Sequence, residues 1–243
     1  MQSMRDNAAA EWFAGPLGAR VLREETALAR LALEDVFGFE LLQVGTWGPT
    51  QHLLAGARTQ HTTLLAAKRG PGVTLCAPLA SLPFASDSID AIVLPHTLEL
   101  VEDPYAVLRE AERILTAEGC LMICGFNPFS GWGARRAIGR LFGRPAFPPR
   151  TRRMLSERRL RDWVALLGFD VDGVYGYLGS LPLTGRAHAA EFQASASWVS
   201  GAYLLKARKR VTSLTLVRPR RRVRPRVLVG AAEPTTKVGK FRQ

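Results

Sequence analysis

Three short stretches of the 243-residue chain set polar side chains directly after apolar runs. Gln43-Val44-Gly45-Thr46-Trp47-Gly48 closes the run FELLQV, Pro95-His96-Thr97-Leu98-Glu99 follows DAIVL, and Phe126-Asn127-Pro128 follows CLMICG. His96 is the natural general base of the set, because an unperturbed imidazole titrates near neutrality. The alternative reading of His96 is a loop histidine held by hydrogen bonds. Glu99, three residues on, suits fixing the loop or the next helix. Asn127 before Pro128 is a turn former and the candidate on the substrate side of a cleft. His52 and His61 join no ligand constellation. Cys76, Cys120 and Cys124 lack metal-ligand spacing, so no metal is expected, and the thiols read as small buried apolar groups in a reducing compartment.

Chemistry at those positions needs a scaffold that gathers strand ends. Leu17, Val21, Leu28 and Leu31 recur at helical spacing, with Gly38 as the stop. Short apolar runs predict strands at 39–44, 62–67, 73–76, 90–94, 120–125, 169–175 and 201–207. Asp103-Pro104 starts a helix with the stripe Val107, Leu108, Ala111, Ile114 and Leu115, ended by Gly119. Ala134, Ile138, Leu141 and Phe142 share one face of a further helix ringed by Arg135, Arg136, Arg140 and Arg144. Ser156 caps another, with Leu160, Trp163, Val164 and Leu167 inward and Gly168 closing it. Strand–helix alternation with uniformly apolar strands predicts an α/β fold: a seven-stranded, mostly parallel sheet with helices on both faces and an antiparallel end. Open sheets of this kind bind ligands at the carboxyl ends of their strands, where the three polar stretches would meet.

The stretch Leu82 to Gly125, LPFASDSIDAIVLPHTLELVEDPYAVLREAERILTAEGCLMICG, spans two of these strands and the helix between them. It resembles the core of class I S-adenosylmethionine-dependent methyltransferases of the type 11 group. In that group L-P-F leads to S-x-D and an apolar strand, then L-E, D-P, a helix with L-x-E and R-x-L, and G-x-L into the next strand. The matching residues here are Leu82-Pro83-Phe84, Ser88 and Asp90, Leu98-Glu99, Asp103-Pro104, Leu108 and Glu110, Arg113 and Leu115, and Gly119 and Leu121. Gly125-Phe126-Asn127-Pro128 followed by Gly131 is similar to a small bacterial methyltransferase-like subfamily. The resemblance implies a Rossmann-like sheet, S-adenosylmethionine as cofactor, and methyl transfer to an unidentified acceptor. It sets Gln43, Gly45, Thr46, Gly48, Leu79, Pro95 and His96 around the cofactor.

The chain departs from that family where the cofactor is held. The family's first strand ends in an acid and a turn of the form D-x-G-x-G-x-G; here Gln43 replaces the acid and Trp47 the second glycine. An acid at the end of the second strand is absent from Leu64-Leu65-Ala66-Ala67, and Pro78 stands where a third acid precedes L-P-F. A hydrogen bond to a charged group contributes about 1.5–3 kcal/mol. Losing two or three lowers cofactor affinity by orders of magnitude unless backbone groups compensate. The alternative reading is a catalytically inactive methyltransferase-fold protein acting as a nucleic-acid or protein binding module through its arginine-rich segments. A nicotinamide dehydrogenase is disfavoured, because G-x-G-x-x-G and its later acid are missing.

Charge bears on partners. The net +12 resides in residues 206–243, which hold thirteen basic residues and one acid, Glu233; residues 1–205 sum to zero. Within them, residues 135–161 carry ten basic residues and one acid. Three regions are expected: an N-terminal helical segment at 1–37, a methyltransferase-like domain at 38–211 with a basic lid-like insertion at 131–156, and a disordered basic arm at 212–243. The segment 206–243 suits RNA or ribosome phosphates, and 131–161 suits an anionic membrane surface. With no run of eighteen apolar residues and no signal-like start, no transmembrane segment and a cytoplasmic location are expected.

Overall fold

The computed structural model describes residues 11–48, 52–142, 151–179 and 200–210. Helix α1 (Pro16–Ala32) leads to strand β1 (Phe37–Val44), then β2 (Arg58–Ala66), β3 (Leu75–Cys76) and β4 (Ile89–Pro95). A single-turn helix α2 (Thr97–Leu100) and helix α3 (Pro104–Ile114) precede β5 (Leu115–Phe126). Helices α4 (Gly131–Leu141) and α5 (Glu157–Leu166) then lead to β6 (Phe169–Tyr177) and β7 (Ala202–Lys209). The seven strands form one sheet in the order β3-β2-β1-β4-β5-β7-β6. The first five run parallel, and β7 is antiparallel to both β5 and β6. The mostly parallel sheet with an antiparallel end is the expected architecture. The chain order reverses between β1 and β4, which makes their carboxyl ends the switch point.

The central strands are apolar throughout because both faces are covered. Along β1, Leu42 and Val44 face one core with Leu94, Leu108 and Val164, while Leu41 faces the other with Val21, Leu28 and Val93. This alternation has the two-residue period of a strand. Helices α3 and α5 thus cover one face and α1 the other. Proline at the first turn starts α1 and α3, and Asp103 accepts hydrogen bonds from the Tyr105 and Ala106 amides (3.0 and 3.1 Å). Among the described residues, no helix is long and apolar enough to cross a membrane.

Several motif residues are structural ties. Arg113 of α3 donates to the carbonyls of Leu82 and Phe84 (3.0 Å each), and Glu110 accepts from the Leu82 amide (2.9 Å). The L-P-F loop is therefore clasped by the helix that follows β4. Asp90 accepts from the amides of Phe39 and Glu40 (2.7 and 3.0 Å), joining the entry of β1 to β4.

Three sequence expectations are corrected. Gly38 does not stop the first helix; α1 ends at Ala32, and Gly38 sits in β1 with its backbone against the Asp90 carboxylate. Leu31 is not part of the buried stripe: the inward face of α1 is Val21, Glu25, Leu28, Ala29 and Ala32. Gly119 lies within β5, because α3 stops at Ile114 and Leu115 already pairs with Ile89 of β4. The first basic residues of the segment 206–243 lie within the fold. Lys206, Arg208 and Lys209 belong to β7 and Arg210 follows it; their partners are Asp35, Asp172, Asp87 and Asp170. Strand pairing fixes these side chains beside acids of α1's exit, the loop before β4 and β6, so they are engaged within the fold. Residues 211–243 lie outside the described residues.

Candidate functional site

The residues at the switch point converge, but on each other. His96 follows the last residue of β4 in the left-handed backbone region (φ 53°), unusual for a residue with a side chain. Its amide donates to the Cys124 carbonyl (3.0 Å) and its own carbonyl accepts from the Glu99 amide (3.1 Å), which turns the chain into α2. The conformation directs the imidazole into the body, where it is fully buried.

Carboxylates take both ring nitrogens. Nε2 lies 2.7 Å from Glu25 Oε1 and Nδ1 lies 2.9 Å from Glu99 Oε2. Trp47 and Phe126 both pack on the ring, each with its centroid 4.2 Å away, and meet each other edge-on at 5.8 Å. Glu25 also accepts from Tyr177 Oη (2.7 Å) and Trp47 Nε1 (2.9 Å), and Glu99 accepts from the Phe126 amide (2.9 Å). Burial is the largest influence on His96 and opposes its charge, but Glu25 and Glu99 together outweigh it and push the pKa up to about 9. The imidazolium is thus held between two carboxylates, with Trp47 and Phe126 packed against it. Burial raises Glu99 above the usual carboxylate range, against the opposing pull of His96 and of Arg136.

Trp47 closes the crevice from above. Its ring is buried and packs edge-on against Phe13 (4.9 Å) and tilted against Trp12 (5.9 Å), both from the segment preceding α1. The turn from β1 uses Gly45 (φ 95°) and Gly48 (φ 69°). A Cβ built on Gly45 would lie 2.5 Å from Thr97 Oγ1, and that hydroxyl donates to the Val44 carbonyl. The close approach permitted by Gly45 is therefore used by Thr97, which ties β1 to the segment after β4 across the switch point. Gln43 beneath is buried; its Nε2 donates to the Gly45 carbonyl (3.0 Å), while its Oε1 has no hydrogen-bond partner among the described residues.

The other residues singled out by sequence divide clearly. Thr46 and Leu79 are half-buried at the crevice rim and Pro95 is buried at the end of β4. Asn127 donates to the Ser200 carbonyl and accepts from the Phe129 amide (3.0 Å each), fixing the turn after β5. His61 is exposed in the first half of β2, away from the carboxyl ends, and the His52 side chain lies outside the described residues. Sequence reasoning missed Glu25 and Tyr177. Glu25 carried a readable signal, since it occupies a helical-stripe position between Val21 and Leu28–Ala29, where an acid needs a buried partner.

Comparison with known proteins places this geometry. Residues 49–123 match a family model described as a methyltransferase domain. The chain is 38% identical over 136 residues to the uncharacterized protein YafS of Escherichia coli (strain K12), covering 56% of this chain and 55% of that protein. It is 31% identical over 173 residues to the uncharacterized protein Rv2003c of Mycobacterium tuberculosis (strain ATCC 25618 / H37Rv), covering 69% and 59%. The chain thus spans little more than half the length of these relatives. A SAM-dependent methyltransferase structure from Thermotoga maritima superposes with a TM-score of 0.62 at 18% identity, covering 82% of this chain and 94% of that one. One from Archaeoglobus fulgidus superposes at 0.55 with 12% identity, covering 77% and 94%. Residues 49–123 are thus similar to the type 11 methyltransferase domain, and the described sheet has the Rossmann-like class I methyltransferase fold.

Proposed function

We propose that the protein is an S-adenosylmethionine-dependent methyltransferase whose crevice is in a closed state. The fit of the cofactor differs between the two ends of the crevice. At the β2–β3 end, Ala77 and Leu79 are only half-buried, and on β1 the buried Gln43 Oε1, unpartnered among the described residues, is an acceptor for a hydroxyl or ammonium group once the crevice opens. At the β4 end, Trp47, His96 and Thr97 fill the space, and the cofactor does not fit until Trp47 leaves. Gln43, the Gly45–Gly48 turn, Leu79 and Pro95 are the residues that would hold it. When bound, it supplies an electrophilic methyl group on a sulfonium.

The observation that carries this reading is the Glu99–His96 pair at the carboxyl end of β4. Once Glu25 withdraws and the Nε2 proton is released to solvent, Nε2 is free to take a proton from an N–H or O–H acceptor, while Glu99 holds the proton on Nδ1 and fixes the ring. Trp47 and Phe126 exclude water from the same place. Calorimetric titration with S-adenosylmethionine and S-adenosylhomocysteine, alongside thermal stability, tests the proposal. Weak binding with stabilisation is expected, strengthened in Trp47→Ala. Absence of both heat and stabilisation at millimolar ligand, in wild type and variant alike, would overturn it.

The closure of the crevice favours a second reading, a methyltransferase-fold binding module without catalysis. Its distinguishing result is RNA retention that depends on residues 212–243 and weakens steeply with salt, with no response to either ligand.

A further inference from the structure

Helix α4 is turned inside out. Its side toward the body carries Trp132, Gly133 and Arg136. Trp132 is buried and donates to the Gly179 carbonyl (2.9 Å), and Arg136 is buried and donates to the Thr151 carbonyl (2.6 Å). Gly133 packs so closely on Pro128 that a Cβ there would lie 1.9 Å from the Pro128 carbonyl oxygen. These contacts fix which way the helix faces. The apolar stripe predicted from the sequence points the other way: Ile138, Leu141 and Phe142 are 58%, 81% and 72% exposed, and Phe129, just ahead of the helix, is 84% exposed. An amphipathic helix on a globular body ordinarily turns that stripe inward. Large apolar side chains gathered on an exposed face mark a surface that another phase or molecule covers.

The surrounding charge selects the occupant. No acidic residue occurs between Glu118 and Glu157, whereas residues 135–161 hold ten basic ones. Arg135 is exposed one turn before Ile138, and Arg153, Arg158 and Arg159, later in the same basic segment, are exposed as well. Exposed phenylalanine and aliphatic side chains on a segment with no acid between Glu118 and Glu157 match the boundary of an anionic bilayer, where acyl chains take the apolar groups and headgroup phosphates the guanidiniums. RNA would pair with the arginines but leave Ile138 and Leu141 in water. We propose that the α4 face, Phe129 with Ile138, Leu141 and Phe142, docks the protein onto an anionic phospholipid surface. The docking is peripheral and is independent of whether the crevice transfers methyl groups.

Vesicle flotation of the full chain tests the proposal. The arms are phosphatidylcholine alone, phosphatidylcholine mixed with phosphatidylglycerol, and each with the triple variant Ile138→Gln, Leu141→Gln, Phe142→Gln. The variant keeps every charge, and its three sites are exposed, so thermal unfolding matching wild type confirms an intact fold. Wild type is expected on the anionic vesicles, with the variant at least roughly tenfold weaker. Equal binding by variant and wild type would overturn the proposal, since charge alone, including that of the C-terminal arm, would then explain it. Failure of wild type to bind either vesicle would also overturn it. So would a concentration-dependent dimer abolished by the triple variant, which would assign the face to a second copy of the chain.

Discussion

Replacing Glu25 with glutamine tests the buried network most directly, because shape is kept and charge removed. Glu25 Oε1 accepts from His96 and Tyr177, and Oε2 accepts from Trp47. Glutamine has one oxygen. If it faces His96 and Tyr177, its amide N–H₂ meets the Trp47 N–H, and two donors confront each other in a buried site. If it faces Trp47, the amide opposes the imidazolium instead. Removing one partner of a buried ion pair destabilises by about 3–5 kcal/mol. Glu99 remains on Nδ1 and His96 can shed its proton, so the lower end of that range, about 3 kcal/mol, is the expectation. For a body of this size each kcal/mol shifts the midpoint by about 2–4 °C, so Tm should fall by roughly 6–12 °C. Urea unfolding gives the free energy, and an NMR titration of the His96 ring gives its pKa, which should fall from about 9 toward neutrality. A variant within about 1 kcal/mol of wild type, with an unmoved His96 titration, would refute the charged network.

Two further outcomes follow from the same group. His96 is raised in the folded state above its ordinary 6.5, so its contribution is complete below pH 6.5 and lost as pH rises through about 9; the difference corresponds to about 3 kcal/mol. Burial also pushes Cys120 up to about 11 and holds Cys124 well above its usual range, so unfolded thiols ionise first and reinforce the decline. Urea unfolding at pH 6 and pH 9 checks this, and stability that is flat or rising over that interval would reject it. Ligand entry that frees His96 must release a proton in the same window. Apparent affinity for S-adenosylmethionine should therefore rise with pH as stability falls, a pair of opposite slopes that calorimetry in buffers of different ionisation heat resolves; parallel slopes would rule out coupling between the network and the ligand site.

The architecture was readable because each signal was local. Continuous apolar runs such as DAIVL belong to strands covered on both sides, and Asp103-Pro104 is a cap and a first-turn proline in adjacent positions. The strand-end residues were readable for the same reason. What closes the site was not, because Glu25 and Tyr177 stand 71 and 81 residues from His96 and arrive only through tertiary packing. Trp47 was legible as an intruder in a glycine-rich turn, but its direction depends on Phe13 and Trp12, which the turn does not contain. Helix α4 shows a different limit. Its periodicity revealed an apolar face, whereas the way that face points is decided by Trp132 and Arg136 on the opposite side.

The missing acids and the closed crevice act on affinity in the same direction but through different states. Gln43, Ala66 and Pro78 lower the intrinsic affinity of an open crevice, whereas the Glu25 network lowers the fraction of molecules that are open. Opening at a cost of about 4 kcal/mol leaves roughly one molecule in a thousand competent and weakens apparent binding by the same factor. That cost arises chiefly because withdrawing Glu25 strips acceptors from three donors at once: His96 Nε2, Trp47 Nε1 and Tyr177 Oη. Unpaired, each would be penalised, so the open state exists only where water or a ligand oxygen replaces the carboxylate. In the proposed methyltransferase, ligand entry is therefore controlled first by what takes the place of Glu25, and only second by the residues that line the cofactor turn.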